Sequence, residues 1–157
     1  MPSSNEIRRA SPGEAALLSA LALRSKAHWG YSRDFIKSCE DEITYQPGQI
    51  SGDTFDFVVI ENEVTIMGFY AIECVSKTEY ELDALFVDPE YIGTGCGRRL
   101  IQHALKNVAT KGGERLVIQG DPNAEQFYLA AGGQQIGSRK SGSIPGRVLP
   151  LYEIPVQ

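Results

Sequence analysis

Three glycines at alternate positions, Gly93, Gly95 and Gly97, sit in the run V-D-P-E-Y-I-G-T-G-C-G-R-R-L-I that begins at Val87. Each adds chain entropy that folding must remove, so the arrangement needs a chemical reason beyond a bend. A strand that feeds a tight glycine loop and then a helix aims several unpaired backbone N–H groups at one point, at the positive end of the helix dipole. Such a point binds anions, and bare glycine backbone lets phosphate oxygens approach to hydrogen-bonding distance. Arg98 and Arg99 in the first helical turn oppose the dipole and fit an anionic ligand. Upstream, Glu79, Glu81 and Asp83 alternate, and period-two geometry puts all three carboxylates on one face of a strand. Leu85 and Val87 continue that parity into what should be core, so a merely solvated acidic face is the competing reading.

Spacing excludes two familiar phosphate loops. No Lys-Ser or Lys-Thr follows the glycines, as a nucleotide P-loop requires. The spacing is G-x-G-x-G rather than G-x-G-x-x-G, and the strands before it form a meander rather than opening a βαβ unit.

The elements that would position these groups follow from periodicity and punctuation. Ser11 and Pro12 start a helix that runs to Ala27, and Ser32 caps a second helix to Glu42, after which Pro47-Gly48 breaks the pattern. F-D-F-V-V-I-E and V-T-I-M-G-F-Y-A-I-E-C predict an antiparallel hairpin, and E-Y-E-L-D-A-L-F-V a third strand ended by Asp88-Pro89. Leu100, Ile101, Ala104, Leu105 and Val108 predict the helix after the glycines, closed by Lys111-Gly112-Gly113. R-L-V-I-Q is a short buried strand, Asp121-Pro122 opens a helix through Ala131, and Q-Q-I-G-S and V-L-P-L-Y-E-I are the last strands. The expected fold is therefore mixed α/β, in one domain over residues 1–157.

The totals narrow the function classes. A net charge of -5 with no basic block disfavours nucleic acid, and no apolar run approaches a bilayer span. The first ten residues lack the apolar region of a secretory signal, which predicts a cytoplasmic location. Three widely spaced cysteines, and two distant histidines, His28 and His103, suit neither a disulfide framework nor a metal site.

With these features in order, the chain resembles the GNAT superfamily of acyl-CoA-dependent N-acetyltransferases from about Phe55 to Val156. The family pairs a strand ending in an aliphatic residue with Q/R-x-x-G-x-G/A, and L-F-V-D-P-E-Y-I-G-T-G-C-G-R-R-L matches it with Ile92 at the Gln/Arg position. The resemblance implies a predominantly antiparallel sheet flanked by helices. It also implies acetyl-CoA as cofactor, held by Phe86, Val87, Ile92, Gly93, Thr94, Gly95, Cys96, Gly97 and Arg98, with an oxyanion donor in the backbone near Val87. Downstream, D-P-N-A-E-Q-F-Y-L-A-A-G-G resembles N-x-x-A-x-x-F-Y-x-x-x-G-F, with Ala124 shifted by one place and Gly133 replacing the aromatic. By that likeness Asn123 would contact the cofactor and Tyr128 would lie near its sulfur.

Acyl transfer to an amine needs a base for the ammonium, support for the oxyanion and a proton for the leaving thiolate. Asp83, then Glu81, are the preferred bases, with Glu73 on the neighbouring strand as a further candidate. Tyr128 is protonated at neutral pH and could act as the acid, or simply pack one helix face. The acceptor side is expected near S-K-A-H-W-G-Y, where His28, Trp29 and Tyr31 could border an amine or pack between helices. Arg139, Lys140 and Arg147 could recognise an acidic acceptor or stay solvated. The implied function is direct transfer of an acetyl group to a primary amine of a small molecule or peptide, without a metal or membrane partner, in a homodimer by family habit. The alternative is a GNAT-like acyl-CoA sensor that transfers nothing.

Overall fold

The computed structural model describes residues 5–121, 124–141 and 144–156. Seven strands form one sheet: β1 Glu6–Arg9, β2 Phe55–Glu61, β3 Ile66–Cys74, β4 Glu79–Val87, β5 Arg115–Gln119, β6 Gln134–Lys140 and β7 Val148–Pro155, in the order β1-β2-β3-β4-β5-β7-β6. All neighbours are antiparallel except β4 and β5, which run parallel and are joined by the crossover helix α4, Cys96–Thr110. The helices α1 Ala15–Ala27, α2 Arg33–Cys39, α3 Pro47–Ser51 and α5 Glu125–Ala130 complete the chain.

Each face of the sheet has its own core. α4 buries Cys96, Leu100, Ile101, Ala104 and Val108, a helical stripe, against Val58, Tyr70, Ile72 and Leu82. On the opposite face α1 turns Ala15, Leu18, Leu21 and Ala22 onto Phe57, Val59, Phe69, Ala71 and Ala84. Fully burying a side chain such as Leu18 or Leu100 contributes roughly 1.5–3 kcal/mol, so these two stripes hold the helices on the sheet. β2 and β3 are buried on both sides and accordingly read as nearly unbroken apolar runs.

Three local features differ from the sequence expectation. β1 was not foreseen; Glu-Ile-Arg-Arg contains a single apolar residue, and its place at the sheet edge is secured by Arg8, which pairs with Glu61 at 2.8 Å and Glu14 at 2.7 Å. Pro47 and Gly48 do not break structure but open α3, with Pro47 in the first turn, where its missing N–H costs nothing. β4 contains a bulge: Ala71 pairs with Ala84 and Ile72 with Leu82, so Asp83 has no partner on β3. The extra residue inverts the parity of the strand. Tyr80 and Leu82 face the α4 core, whereas Ala84 and Phe86 face the α1 core and Leu85 and Val87 swing to the α4 side. The apolar parity that argued for a solvated acidic face therefore does not extend through Asp83.

Candidate active site

β4 and β5 are paired only from Glu79↔Arg115 to Leu82↔Ile118. Beyond the bulge the two strands part, and a cavity of about 1050 Å³ passes through the gap, lined from both faces of the sheet. One end is walled by Tyr45, Phe57, Glu73, Glu81 and Asp83; the other reaches Gly93, Gly95, Gly97, Arg98 and Tyr128.

The glycine end is shaped by backbone. Gly93 and Gly95 have φ of 84° and 90°, the left-handed region that side chains disfavour, and a Cβ on either would point into open space. Gly97 is small for another reason, since a Cβ there would lie 3.1 Å from the Phe127 ring. The N–H groups of Ile92 and Thr94 are used in turns to the carbonyls of Pro89 and Tyr91. Those of Gly93, Gly95, Cys96, Gly97 and Arg98 have no acceptor among the described residues; the first α4 bond outside its interior is Arg99 N–H to Gly95. Five donors at a helix start, beside Arg98, form a cradle that fits a diphosphate. Thr94 and Cys96 turn their side chains away from the cavity: the Thr94 hydroxyl donates to the Tyr91 carbonyl, and Cys96 is buried with its sulfur 3.9 Å from Met67 Sδ. Phe86, Val87 and Ile92 line the cavity, and Asn123 lies outside the described residues. The loop is braced from α1 by Arg24, which pairs with Asp88 at 2.7 Å.

At the other end, Glu73 stands opposite Glu81 across β3 and β4, and the bulge brings Asp83 to them, so one oxygen of each carboxylate lies within 4.8 Å of the others. Asp83 is open to the cavity yet surrounded by protein. Its withdrawal from bulk water, then Glu73, then Glu81, push its carboxyl up to about 9. Tyr45, which sequence reasoning missed, is driven upward by burial and then by Asp83 and Glu42, and its ring stands edge-on to Phe57 and Phe69. No periodic signal distinguishes it from other aromatic loop residues.

Asp83 carries a stability consequence. Below about pH 4 it is protonated folded and unfolded alike; between there and about pH 9 the unfolded chain ionises while the folded one keeps its proton, so stability falls as pH rises through that window. Asn supplies a donor in place of the protonated carboxyl without the titration. Asp83→Asn is expected to raise the thermal midpoint by about 5 °C at pH 8 and by almost nothing at pH 4, full burial costs being moderated by water in the cavity. Differential scanning calorimetry across pH checks this, and a constant offset would refute it.

Tyr128 is 7% exposed, lines the cavity, and its hydroxyl has no hydrogen-bond partner among the described residues. Burial, then Asp121, push the phenol above its ordinary value, so it is protonated throughout the working range. Of the residues expected on the acceptor side, Trp29 lines the cavity, 47% exposed, while His28 stands outside the lining and meets Trp29 edge-on at 5.3 Å. Tyr31 does not line the cavity but packs behind Asp121 and Arg147 of its wall. Its hydroxyl bonds both Asp121 carboxylate oxygens at 2.8 Å, its ring stacks on Phe35 at 4.1 Å, and the Arg147 guanidinium lies over Phe35 at 4.7 Å. Arg147 and Arg139 are thus both paired with carboxylates of this chain: Arg147 lies 3.8 Å from Asp121, and Arg139, itself 43% exposed, bonds Glu81 at 2.9 Å.

A family model described as an acetyltransferase (GNAT) domain matches residues 20–142. The N-alpha-acetyltransferase RimI of Mycobacterium tuberculosis is 35% identical over 80 residues, which cover 48% of this chain and half the length of that relative. Among solved structures, the PaiA N-acetyltransferase of Thermoplasma acidophilum in complex with coenzyme A superposes with a TM-score of 0.75 at 23% identity, covering 97% of this chain and 99% of that one. The ribosomal-protein-S18-alanine N-acetyltransferase of Escherichia coli gives 0.72 at 18% identity, over 98% of this chain and 94% of its own. No helix among the described residues is long and apolar enough to cross a membrane.

Proposed function

Because the chain belongs to the GNAT acetyltransferase family, we infer that it moves an acetyl group from acetyl-CoA to a primary amine of a peptide or small molecule by direct attack. The observation that carries this reading is the single cavity joining a cradle of unpaired amides to a carboxylate trio through the gap between β4 and β5. Acetyl-CoA, when bound, supplies the acyl group as an activated thioester. Gly93, Gly95, Cys96, Gly97 and Arg98 would hold its diphosphate, and the cavity would lead its acyl end toward the carboxylates.

An alkylammonium is neutral at pH 7 only about once in a thousand or fewer, so the attacking nitrogen must first give up a proton. The group of Glu73, Glu81 and Asp83, in which Asp83 already holds a proton at neutral pH, receives it on a free carboxylate, directly or through water, and the remaining negative charge favours the incoming cation. Backbone N–H groups of β4 near Val87, past the last β5 pairing, support the developing oxyanion. Tyr128 returns a proton to the leaving thiolate. Direct attack is supported by the cysteines: Cys39 and Cys96 are buried, and Cys74 lies outside this cavity. The N-alpha-acetyltransferase relative supports a peptide amine within the acceptor class.

Thiol release from acetyl-CoA, measured against a panel of peptide and small-molecule amines, tests the reading. Amine-dependent release is expected. Tight coenzyme A binding by calorimetry with no release across the panel would convert the protein into a sensor, and no binding at all would remove both.

A further inference from the structure

Glu73, Glu81 and Asp83 each bring a carboxylate oxygen within 4.8 Å of the others, and burial with these two neighbours keeps the Asp83 carboxyl protonated at neutral pH, so the group retains a proton. Among the described residues one cation pairs with the group. Arg139, on β6 beyond β5 and β7, extends Nη1 to Glu81 Oε1 at 2.9 Å and to Gln119 Oε1 at 3.4 Å. Neither Glu73 nor Asp83 has a cationic partner among the described residues. Tyr45 interacts with Asp83 and with Glu42, and the other charged or titratable groups in the cavity wall are Lys26 of α1, Tyr91, Arg98, Tyr128 and the Asp121–Arg147 pair. Further along β4, Glu79 is occupied by Arg115, which also meets Glu153 of β7. Arg139 is therefore the cation that distinguishes one carboxylate of the trio from the other two.

We propose that Arg139 is a positioning residue for proton transfer: by pairing with Glu81 it assigns the retained proton to the Glu73–Asp83 pair and leaves that pair to take up the proton of the incoming amine. The inference rests on the acetyltransferase reading of the site. The balance is simple. The first proton leaves the ammonium nitrogen for a carboxylate oxygen of the pair, the freed lone pair attacks the acyl carbon, the thiolate takes a proton from Tyr128 as the carbon–sulfur bond breaks, and the second proton shed by the nitrogen restores the Tyr128 phenol through water. Without Arg139 the uncompensated charge of Glu81 would hold protons more tightly on its neighbours, and the base would open only at higher pH.

The test is Arg139→Gln, read by the pH titration of the Asp83 carboxyl carbon in NMR and by the pH profile of kcat/KM. Asp83 is expected to move up from about 9 by about one unit. The acidic limb of the rate profile should move the same way, about tenfold slower at a given pH on that limb, with the plateau kept and Arg139→Lys restoring most of the shift. In a Glu81→Gln background, Arg139→Gln should shift nothing further. An unmoved Asp83 titration, or an equal shift in the Glu81→Gln background, would overturn the proposal. The NMR titration needs no turnover, so a shifted Asp83 in a protein that acetylates no amine would instead overturn the acetyltransferase reading, and with it this role for Arg139.

Discussion

Tyr128→Phe is expected to cut turnover more than about tenfold while the KM for acetyl-CoA stays within a few-fold. The substitution removes one oxygen and little else. The ring keeps its edge contact with Phe127 at 5.2 Å and its tilted contact with Tyr152 at 5.8 Å, so packing survives. The lost hydroxyl faces the cavity without a hydrogen-bond partner among the described residues, so no other bond is broken. Burial and the nearby Asp121 charge keep that hydroxyl protonated, and it is therefore available as an acid at any working pH. General acids of this kind contribute about 10²–10⁴-fold, most of it in the chemical step, so the loss should appear in kcat rather than KM. Steady-state thiol release at saturating amine measures both constants. Equal turnover in the two proteins would leave Tyr128 as a packing residue alone.

The second large effect is on cofactor affinity. Gly95→Val should weaken coenzyme A binding by more than about 100-fold, because a β-branched residue resists φ of 90° and the loop must change shape to accept it. Losing two charge-assisted hydrogen bonds at about 1.5–3 kcal/mol each is enough for that factor. The valine side chain would point into open space, so the effect arises from the backbone rather than from a clash with the core. Isothermal calorimetry, with circular dichroism to verify the fold, gives the result. Binding within threefold of the parent would mean that these amides do not grip the diphosphate.

The parts of this molecule written in local chemistry were legible before any coordinates. Ser32 caps α2 by accepting from the Phe35 N–H, the Gly93–Gly95 stretch turns tightly between a strand and α4, and the alternating run at Glu79 forms a strand. The parts set by distant contacts were not. β1 depends on Arg8 reaching Glu61, 53 residues away in the chain, and Arg139 meets Glu81 across 58. Tyr31 illustrates the same limit: its aromatic character was visible, but its bond to Asp121 depends on two loops meeting in space. The bulge at Asp83 falls between these cases, because the sequence contains its consequence, a switch in which residues of β4 are buried, without a turn residue to announce it.

That unpaired residue also sets what kind of change β4 can absorb. Side chains on either side of Asp83 can be exchanged one at a time, each at its own local cost. Removing the extra residue between Leu82 and Ala84 would leave a regular alternation, with Leu85 and Val87 still on the α4 core and Ala84 and Phe86 still on the α1 core, at the loss of one carboxylate. A relative that lacked the extra residue would therefore keep the same apolar pattern up to the glycine loop and differ only in an uninterrupted ladder with β3 and a missing acid beside Glu73 and Glu81.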